Sequence, residues 1–98
     1  METMKQAIWN DTVIAQAPDD RVKVVEGNVY FPPEAIDKQF IKLSAYTTTC
    51  GWKGTAKYYD LVVEGDENKA AAWYYPAPLA AAKEITGFVA FWKGVKIM

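Results

Sequence analysis

Short runs of alternating apolar and polar residues, separated by turn residues, make up most of the chain. An alternation with a period of two is typical of β-strands that bury one face, whereas helices place apolar residues three or four apart. Asn10-Asp11 and Gly27-Asn28 predict tight reversals between neighbouring strands. The pattern predicts strands over residues 5–9, 12–16, 21–26, 29–31, 46–49, 57–64, 71–75, 88–92 and 95–97.

Two segments depart from this alternation and predict short helices. The segment 33–40 starts with a proline and an acid, which suit the first turn of a helix, and Ile36 and Phe40 would face the sheet. The alanine-rich segment 79–85 is followed by Gly87 as a C-terminal stop. The chain is therefore predicted to be one domain over residues 1–98, mainly β (α+β), with a mostly antiparallel sheet and two short helices.

The charge balance bears on the class of partner. Eleven basic and twelve acidic residues give a formal net charge of −1, and the charges are scattered along the chain. This removes the usual electrostatic argument for binding nucleic acid or an anionic membrane. With one cysteine, no long apolar run, and a polar start at residues 1–5 unlike a targeting peptide, we expect a soluble cytoplasmic protein.

Missing residue types exclude several kinds of site. The chain has no histidine, one cysteine (Cys50) and one serine (Ser44). Catalysis by Ser-His-Asp or Cys-His in their usual forms, and a zinc site of thiolate and imidazole ligands, cannot be built from this set. The glycine-rich phosphate loop and the dinucleotide fingerprint are also missing. We therefore expect no metal and no cofactor.

Residues 50–59 contain the only cysteine of the chain, one tryptophan, two lysines and two tyrosines. A second aromatic cluster follows at residues 72–78. Polar aromatics and lysines beside glycines are typical of pocket lining, because each has an apolar body and a hydrogen-bonding tip. Lys53, between Trp52 and Gly54, is either a solvated surface-loop lysine or a pocket lysine that holds a carboxylate or phosphate. The indole of Trp52 would cap a planar group of the ligand.

Cys50 has two interpretations. A lone cysteine is usually a small buried hydrophobe, but Lys53 and Lys57 are near enough in sequence to lower its pKa. No histidine base is available to activate it. We therefore predict that Cys50 contributes to the pocket without being an essential nucleophile.

Two pairs of adjacent tyrosines, 58–59 and 74–75, lie on consecutive predicted strands. Because neighbouring strand residues point to opposite faces, each pair sends one ring to the core and one to the other face. Cross-strand aromatic pairing explains half of these rings. Tyr58 and Tyr74 are the predicted pocket residues. Asp60 shares the face of Tyr58 and is expected to pair with a lysine on a neighbouring strand rather than to serve the pocket.

Four ordered segments resemble one small family, family 427 of the domains of unknown function, which sometimes carries a nucleotidyltransferase label. They are residues 25–34 (VEGNVYFPPE), 49–54 (TCGWKG), 72–76 (AWYYP) and 87–92 (GFVAFW). The resemblance implies an antiparallel fold of the β-tent, or Mss4-like, type, whose relatives include the zinc-binding methionine sulfoxide reductase B. Gly51 stands where the family commonly has proline, and Val29 where many members have histidine.

We interpret the chain as a small-molecule-binding domain, with or without bond chemistry, whose pocket lies between the loop 50–54 and the tyrosine-bearing strands. In this pocket Trp52 stacks on an unidentified ligand, Lys53 neutralises an anionic group, and Tyr58 and Tyr74 orient it. One alternative is a protein-interaction module with an exposed aromatic patch. Another is a nucleotidyltransferase-like enzyme, although no Asp-x-Asp pair that would hold Mg²⁺ is present. The ligand and the oligomeric state stay open.

Overall fold

The computed structural model describes residues 3–98, so the first two residues of the predicted polar start lie outside the described part. Antiparallel strand pairs dominate, which confirms the predicted mainly β fold class. The β-tent type implied by the resemblance stays a prediction. In chain order the strands are β1 Met4–Trp9, β2 Thr12–Pro18, β3 Lys23–Val25, β4 Asn28–Tyr30, β5 Ile41–Cys50, β6 Gly54–Val63, β7 Asp66–Tyr74, β8 Val89–Phe91 and β9 Lys96–Ile97.

The strands form a three-stranded sheet (β2-β1-β9), a two-stranded hairpin (β3-β4) and a four-stranded sheet (β5-β6-β7-β8). The hairpin is joined to the larger sheet directly after β4. There the backbones of Phe31 and Val89 exchange two N–H···O bonds of 2.8 Å each. Tyr30, the last residue of β4, is thereby held beside the larger sheet, where its ring meets that of Trp73.

Two-residue turns close the β1–β2 and β3–β4 hairpins. Asn10 and Asp11 have φ of 54° and 57°, so the tight reversal predicted between the first two strands is confirmed. The β3–β4 turn is formed by Glu26 and Gly27, with φ of 54° and 79°, one residue earlier than the predicted Gly27-Asn28. The pairing of Val25 with Asn28 requires this shift, because it leaves only two residues for the turn. Glu26 is therefore at the tip of the hairpin.

Both predicted helical segments are short 3₁₀ helices. The first is divided into Pro33–Ala35 and Lys38–Phe40, because the backbone between them pairs with β2: Ile36 bridges Ala15, and the Asp37 N–H donates to the Ile14 carbonyl at 2.8 Å. The second, Ala80–Ile85, is interrupted at Ala82, where φ is −120°. Tertiary hydrogen bonding replaces regular α-helical bonding in the first segment.

The four-stranded sheet buries residues on both faces. Leu61 and Val63 of β6 pack in a cluster with residues of the three-stranded sheet such as Ile14. The alternate residues Ala56 and Tyr58 belong to a second cluster, which also contains Tyr30, Tyr75 and Ile85. The second of these clusters is rich in tyrosine, and its face carries the candidate site.

An ion-pair network spans the four-stranded sheet and has a pH-dependent consequence. Glu67 lies 2.8 Å from the Lys42 ammonium and 2.9 Å from that of Lys69. Hydrogen bonds from these two lysines lower the pKa of Glu67 from 4.5 to about 2. A carboxylate whose pKa is depressed on folding stabilises the protein above its unfolded pKa, and this contribution is lost as the pH falls towards the folded value.

We therefore expect the Glu67→Gln variant to have a flatter dependence of unfolding free energy on pH between about pH 5 and pH 2 than the wild type has. Urea unfolding at several pH values measures this dependence. The control is Glu64→Gln, which changes an exposed carboxylate in the neighbouring turn. Parallel curves for wild type and Glu67→Gln would contradict the assignment.

Candidate functional site

The second face of the four-stranded sheet carries neighbouring aromatic rings, which we call the aromatic face: Tyr30, Tyr46, Tyr58, Trp73, Tyr75 and Trp92. Tyr58 of β6 pairs in register with Trp73 of β7, so their side chains project to the same side. The ring centroids of Tyr46 and Tyr58 are 4.8 Å apart, and those of Trp73 and Trp92 are 6.2 Å apart. These contacts make a nearly continuous aromatic surface.

A cavity of about 230 Å³ opens in this face and is called the Lys53 cavity. The Trp73 indole N–H donates to the Tyr30 hydroxyl oxygen at 3.1 Å, and the Tyr58 hydroxyl shares a 3.0 Å hydrogen bond with Thr48. These bonds hold three of the rings in fixed orientations. The lining residues are Asn28, Tyr30, Lys53, Tyr58, Trp73, Tyr75 and Trp92.

Lys53 is buried, with 7 % of its surface exposed, so its interpretation as a solvated surface-loop lysine is wrong. It ends the three-residue turn between β5 and β6, and the Leu79 N–H donates to its carbonyl at 2.9 Å. The next residue, Gly54, has φ of 107°, and a Cβ there would lie 3.4 Å from the Leu79 nitrogen. This close approach fixes the backbone at the position from which the lysine side chain enters the cavity.

The ammonium of Lys53 forms an ion pair with Glu26 at the tip of the β3–β4 hairpin. It also lies 4.9 Å from the centroid of the Trp52 ring and 5.9 Å from that of Tyr75. Burial is the largest single influence and disfavours the charged form, but the hydrogen bond to Glu26 together with the nearby Tyr75, Tyr30 and Cys50 outweighs it and raises the pKa of Lys53. The same bond lowers the pKa of Glu26. An ammonium has three donors, so the bond to Glu26 leaves two that a ligand can use.

Cys50 ends β5 and packs against the tyrosine-rich core cluster, but its side chain is not part of the cavity lining. Backbone N–H groups of Trp52 and Lys53 hydrogen-bond to the sulfur and, with the nearby Lys53 ammonium, lower the pKa of the thiol against the opposing effect of burial. The structure therefore provides an acidified thiol beside the site. That Cys50 is not an essential nucleophile stays a prediction.

The thiol pKa can be measured from the rate of alkylation by iodoacetamide as a function of pH. We expect half-maximal reactivity of folded Cys50 at a lower pH than in the same protein unfolded in urea, because the two N–H donors exist only in the folded turn. Lys53→Met should raise the thiol pKa only partly, since both backbone donors remain. Coincident profiles for folded and unfolded protein would contradict this prediction.

The structure brings some of the predicted site residues together and separates others. Lys53 and Tyr58 line the cavity, and Cys50 lies next to it. Trp52 is 40 % exposed and packs against the Lys53 ammonium rather than lining the cavity. Tyr74 is on the opposite face, where its ring stacks on Tyr59 with centroids 4.6 Å apart. Its predicted position beside Tyr58 is not observed, because Tyr74 pairs with Lys57 and the alternation turns it away.

Several lining residues were not predicted as site residues. Trp73, Tyr75 and Trp92 line the cavity but were not among the predicted pocket residues. Tyr30 and Asn28 come from a separate hairpin that the sequence pattern alone does not place against this sheet. The aromatic cluster 72–78 indicated that Trp73 and Tyr75 lie near a site. It did not indicate which of its rings lie on the same face of the sheet.

A second cavity, of about 530 Å³, adjoins the first and is called the Asp60 cavity. Asp60 is 5 % exposed. Its Oδ1 accepts the Ala70 N–H at 2.7 Å, while Oδ2 lies 3.7 Å from the Lys69 ammonium, which confirms the predicted pairing with a lysine on a neighbouring strand. The lining residues are Ser44, Ala45, Tyr46, Asp60, Lys69, Ala70, Trp92 and Lys93.

The Asp60 carboxylate supports an irregularity in the sheet. The β6–β7 register shifts after Tyr59, and Ala70 has φ of 53°, which is rare for a residue with a side chain. Both backbone groups of Ala70 are bonded to side chains. Its N–H donates to the Asp60 carboxylate, and its carbonyl accepts from the Trp92 indole N–H at 2.6 Å. Asp60 and Trp92 therefore have structural roles as well as cavity positions.

Two further observations concern metal binding and membrane-spanning helices. Among residues 3–98, no group of three or more His, Cys, Asp or Glu side chains is placed to hold a metal ion. In the same part of the chain, no helix has the length and apolar character needed to cross a membrane.

Comparisons with known proteins give a family and no function. A search of the curated proteins finds no match to this chain. A family model described as a domain of unknown function (DUF427) matches residues 2–97. This match covers nearly the whole chain and agrees with the resemblance found in the four sequence segments. The protein belongs to the DUF427 family of domains of unknown function.

Proposed function

We propose that the Lys53 cavity binds a small molecule that has a flat ring and an anionic group. The observation that carries this proposal is the buried ammonium of Lys53, which has donors to spare in the wall of an aromatic cavity. A buried charge is costly unless it is well paired, and Glu26, its partner, is 52 % exposed. A ligand acceptor would complete the coordination of this ammonium.

The cavity limits the size of the ligand. Its volume of about 230 Å³ lies below the range of about 300–1,000 Å³ that is typical for drug-sized ligands. This volume suits a compound with one or two fused rings and a short substituent. The rings of Trp73 and Tyr58, at 6.4 Å between centroids, provide apolar surface for such a compound.

The tyrosines supply neutral donors near the ammonium. Burial raises the pKa of both Tyr30 and Tyr75. The hydrogen bond from Trp73 opposes this increase for Tyr30, and the nearby charge of Lys53 opposes it for Tyr75. Both phenols therefore keep their protons at neutral pH. A phenol O–H and an ammonium N–H near one another favour an acceptor such as a carboxylate over a donor.

The same geometry weighs against the alternatives. A protein-interaction module would use a flat exposed patch, whereas Lys53 lies inside a concavity. A nucleotidyltransferase needs carboxylates that converge on Mg²⁺, and among residues 3–98 no group of three or more His, Cys, Asp or Glu side chains is placed to hold a metal ion. Small-molecule binding is therefore the function that these contacts support best.

A matched pair of compounds tests the proposal. Indole-3-acetate and indole-3-acetamide have the same ring and differ in whether the substituent is charged. Titration followed by amide NMR shifts should show the carboxylate binding at least about tenfold more tightly. The shifts should concentrate on Lys53, Trp73 and Tyr75 and spare Tyr59 on the opposite face. Equal affinities, or shifts centred elsewhere, would contradict the proposal.

A further inference from the structure

Among residues 3–98, the buried charged side chains are Lys53 and Asp60, which are 7 % and 5 % exposed. They carry opposite charges and line adjacent cavities. Trp92 borders both cavities, so its ring lies where the two meet. The molecule therefore buries one cation and one anion, each in the wall of one of two cavities that share Trp92.

Each buried charge has a partner on the exposed rim. Glu26, the partner of Lys53, has a side chain that is 52 % exposed, and Lys69, the partner of Asp60, has one that is 66 % exposed. Exposed partners of this kind are held weakly and are solvated readily when displaced. Lys69 also remains paired with Glu67 at 2.9 Å, so it does not depend on Asp60 to balance its charge.

Asp60 retains an acceptor for a ligand. One of its oxygens is used by the Ala70 N–H, but the other lies 3.7 Å from the Lys69 ammonium, which is longer than a hydrogen bond. The neighbouring Lys93 ammonium is bonded to another acceptor, the Lys69 carbonyl, to which it donates at 2.9 Å. A cationic donor on a ligand would find an unsaturated carboxylate oxygen here.

The separation of the two charges sets the length of the ligand. From Gly54, next to Lys53, to Asp60 is six residues along β6, or about 20 Å at roughly 3.3 Å per residue. The Lys53 side chain shortens this distance, because its ammonium reaches 5.9 Å from the Tyr75 ring. Between the two ends lie mainly aromatic side chains: Tyr46, Tyr58, Trp73 and Trp92.

We propose that the two cavities form one binding groove for an elongated zwitterion, with a carboxylate at Lys53, an ammonium at Asp60 and an apolar middle on the aromatic face. This inference rests on the proposed function and extends it, because it adds the second charge and the length. A short peptide with free termini has this chemistry. Five extended residues span about 17 Å, which is shorter than the separation of about 20 Å between the backbones at the two ends.

The probe is the pentapeptide Gly-Gly-Phe-Gly-Gly, compared with its N-acetylated and C-amidated forms by isothermal titration calorimetry on the wild-type protein. Acetylation removes the ammonium of the peptide, and amidation removes its carboxylate. Because the protein is the same in all three titrations, a folding defect cannot cause a difference in affinity. We expect each modification to weaken binding by at least about tenfold, as is usual when a charge-assisted hydrogen bond is lost.

The Asp60→Asn variant supplies the second arm. It keeps an oxygen for the Ala70 N–H but loses the charge, so the free and N-acetylated peptides should bind it with nearly equal affinity. Asp20→Asn, at an exposed position in the 3₁₀ helix Asp19–Arg21, is the matched control and should keep the preference for the free N-terminus. Such a result would tie the peptide ammonium to Asp60.

The outcomes separate this inference from the proposed function. Equal binding of free and N-acetylated peptide to the wild type would overturn the zwitterion inference while leaving a carboxylate site at Lys53 intact. Equal binding of free and C-amidated peptide would count against Lys53 as well. Absence of peptide binding would overturn the groove inference, and the indole-3-acetate titration would still decide the proposed function.

Discussion

Replacing Asp60 with alanine should lower the free energy of unfolding by about 2–3 kcal/mol, the usual cost of leaving a buried donor without its charged acceptor. The donor is the Ala70 N–H, which bonds to the carboxylate at 2.7 Å in a buried position. Ala70 has φ of 53° where the β6–β7 register shifts, so the lost bond would weaken a backbone conformation that is already unfavourable.

Urea unfolding measures this effect, as a shift of the midpoint at constant slope. Asp60→Asn should cost less than Asp60→Ala, because the amide oxygen can still accept from Ala70. Asp20→Ala changes an exposed carboxylate and should stay within about 0.5 kcal/mol of the wild type. If Asp60→Ala were as stable as this control, the Asp60 carboxylate would not support the irregularity.

Lys53→Met should weaken the binding of indole-3-acetate by about 1.5–3 kcal/mol, the value of a hydrogen bond to a charged group. Methionine keeps much of the apolar stem and removes only the ammonium. The affinity for indole-3-acetamide should change little, so the preference for the carboxylate should disappear. Tryptophan fluorescence or NMR titration measures both affinities. The matched control is Lys57→Met on the exposed side of β6, which should behave like the wild type.

The same position has an expected effect on stability. Trimming a surface-loop lysine usually changes stability by no more than about 0.5 kcal/mol. Lys53 is buried against the Trp52 and Tyr75 rings, so Lys53→Ala should cost about 1–2 kcal/mol through lost packing. Affinities should therefore be compared at temperatures where every variant is folded. A Lys53→Met variant that retained the carboxylate preference would place the anion site elsewhere.

Local sequence signals were sufficient for much of the fold. The reversal at Asn10-Asp11 was predictable because asparagine and aspartate tolerate positive φ. Alternation located every strand, but β5 and β7 each begin five residues before the predicted starts at 46 and 71. The segment 33–40 was less predictable in detail. Its proline and acid favour a helix locally, but the hydrogen bond from Asp37 to Ile14 depends on a strand more than twenty residues earlier in the chain.

The candidate site was likewise predictable only in part. Residues 50–59 and 72–78 drew attention to Lys53 and Tyr58 because lysines and polar aromatics beside glycines are poor core material. The pairing of Tyr58 with Trp73 was not predictable, and a shift of one residue in strand pairing exchanges the two faces. Tyr74 was therefore expected in the pocket, and Trp73 and Tyr75 are found there.

By itself the sequence determined the antiparallel β class, the reversal at Asn10-Asp11 and the loop in which the pocket lysine lies, because alternation and turn chemistry act between neighbours in the chain. Tertiary structure alone decided that Lys53 is buried, that Glu26 reaches it from another hairpin and that Asp60 lies in the adjoining cavity. These outcomes depend on strand register and on the docking of separate hairpins. Both are determined by contacts between residues far apart in sequence, which a local pattern does not contain.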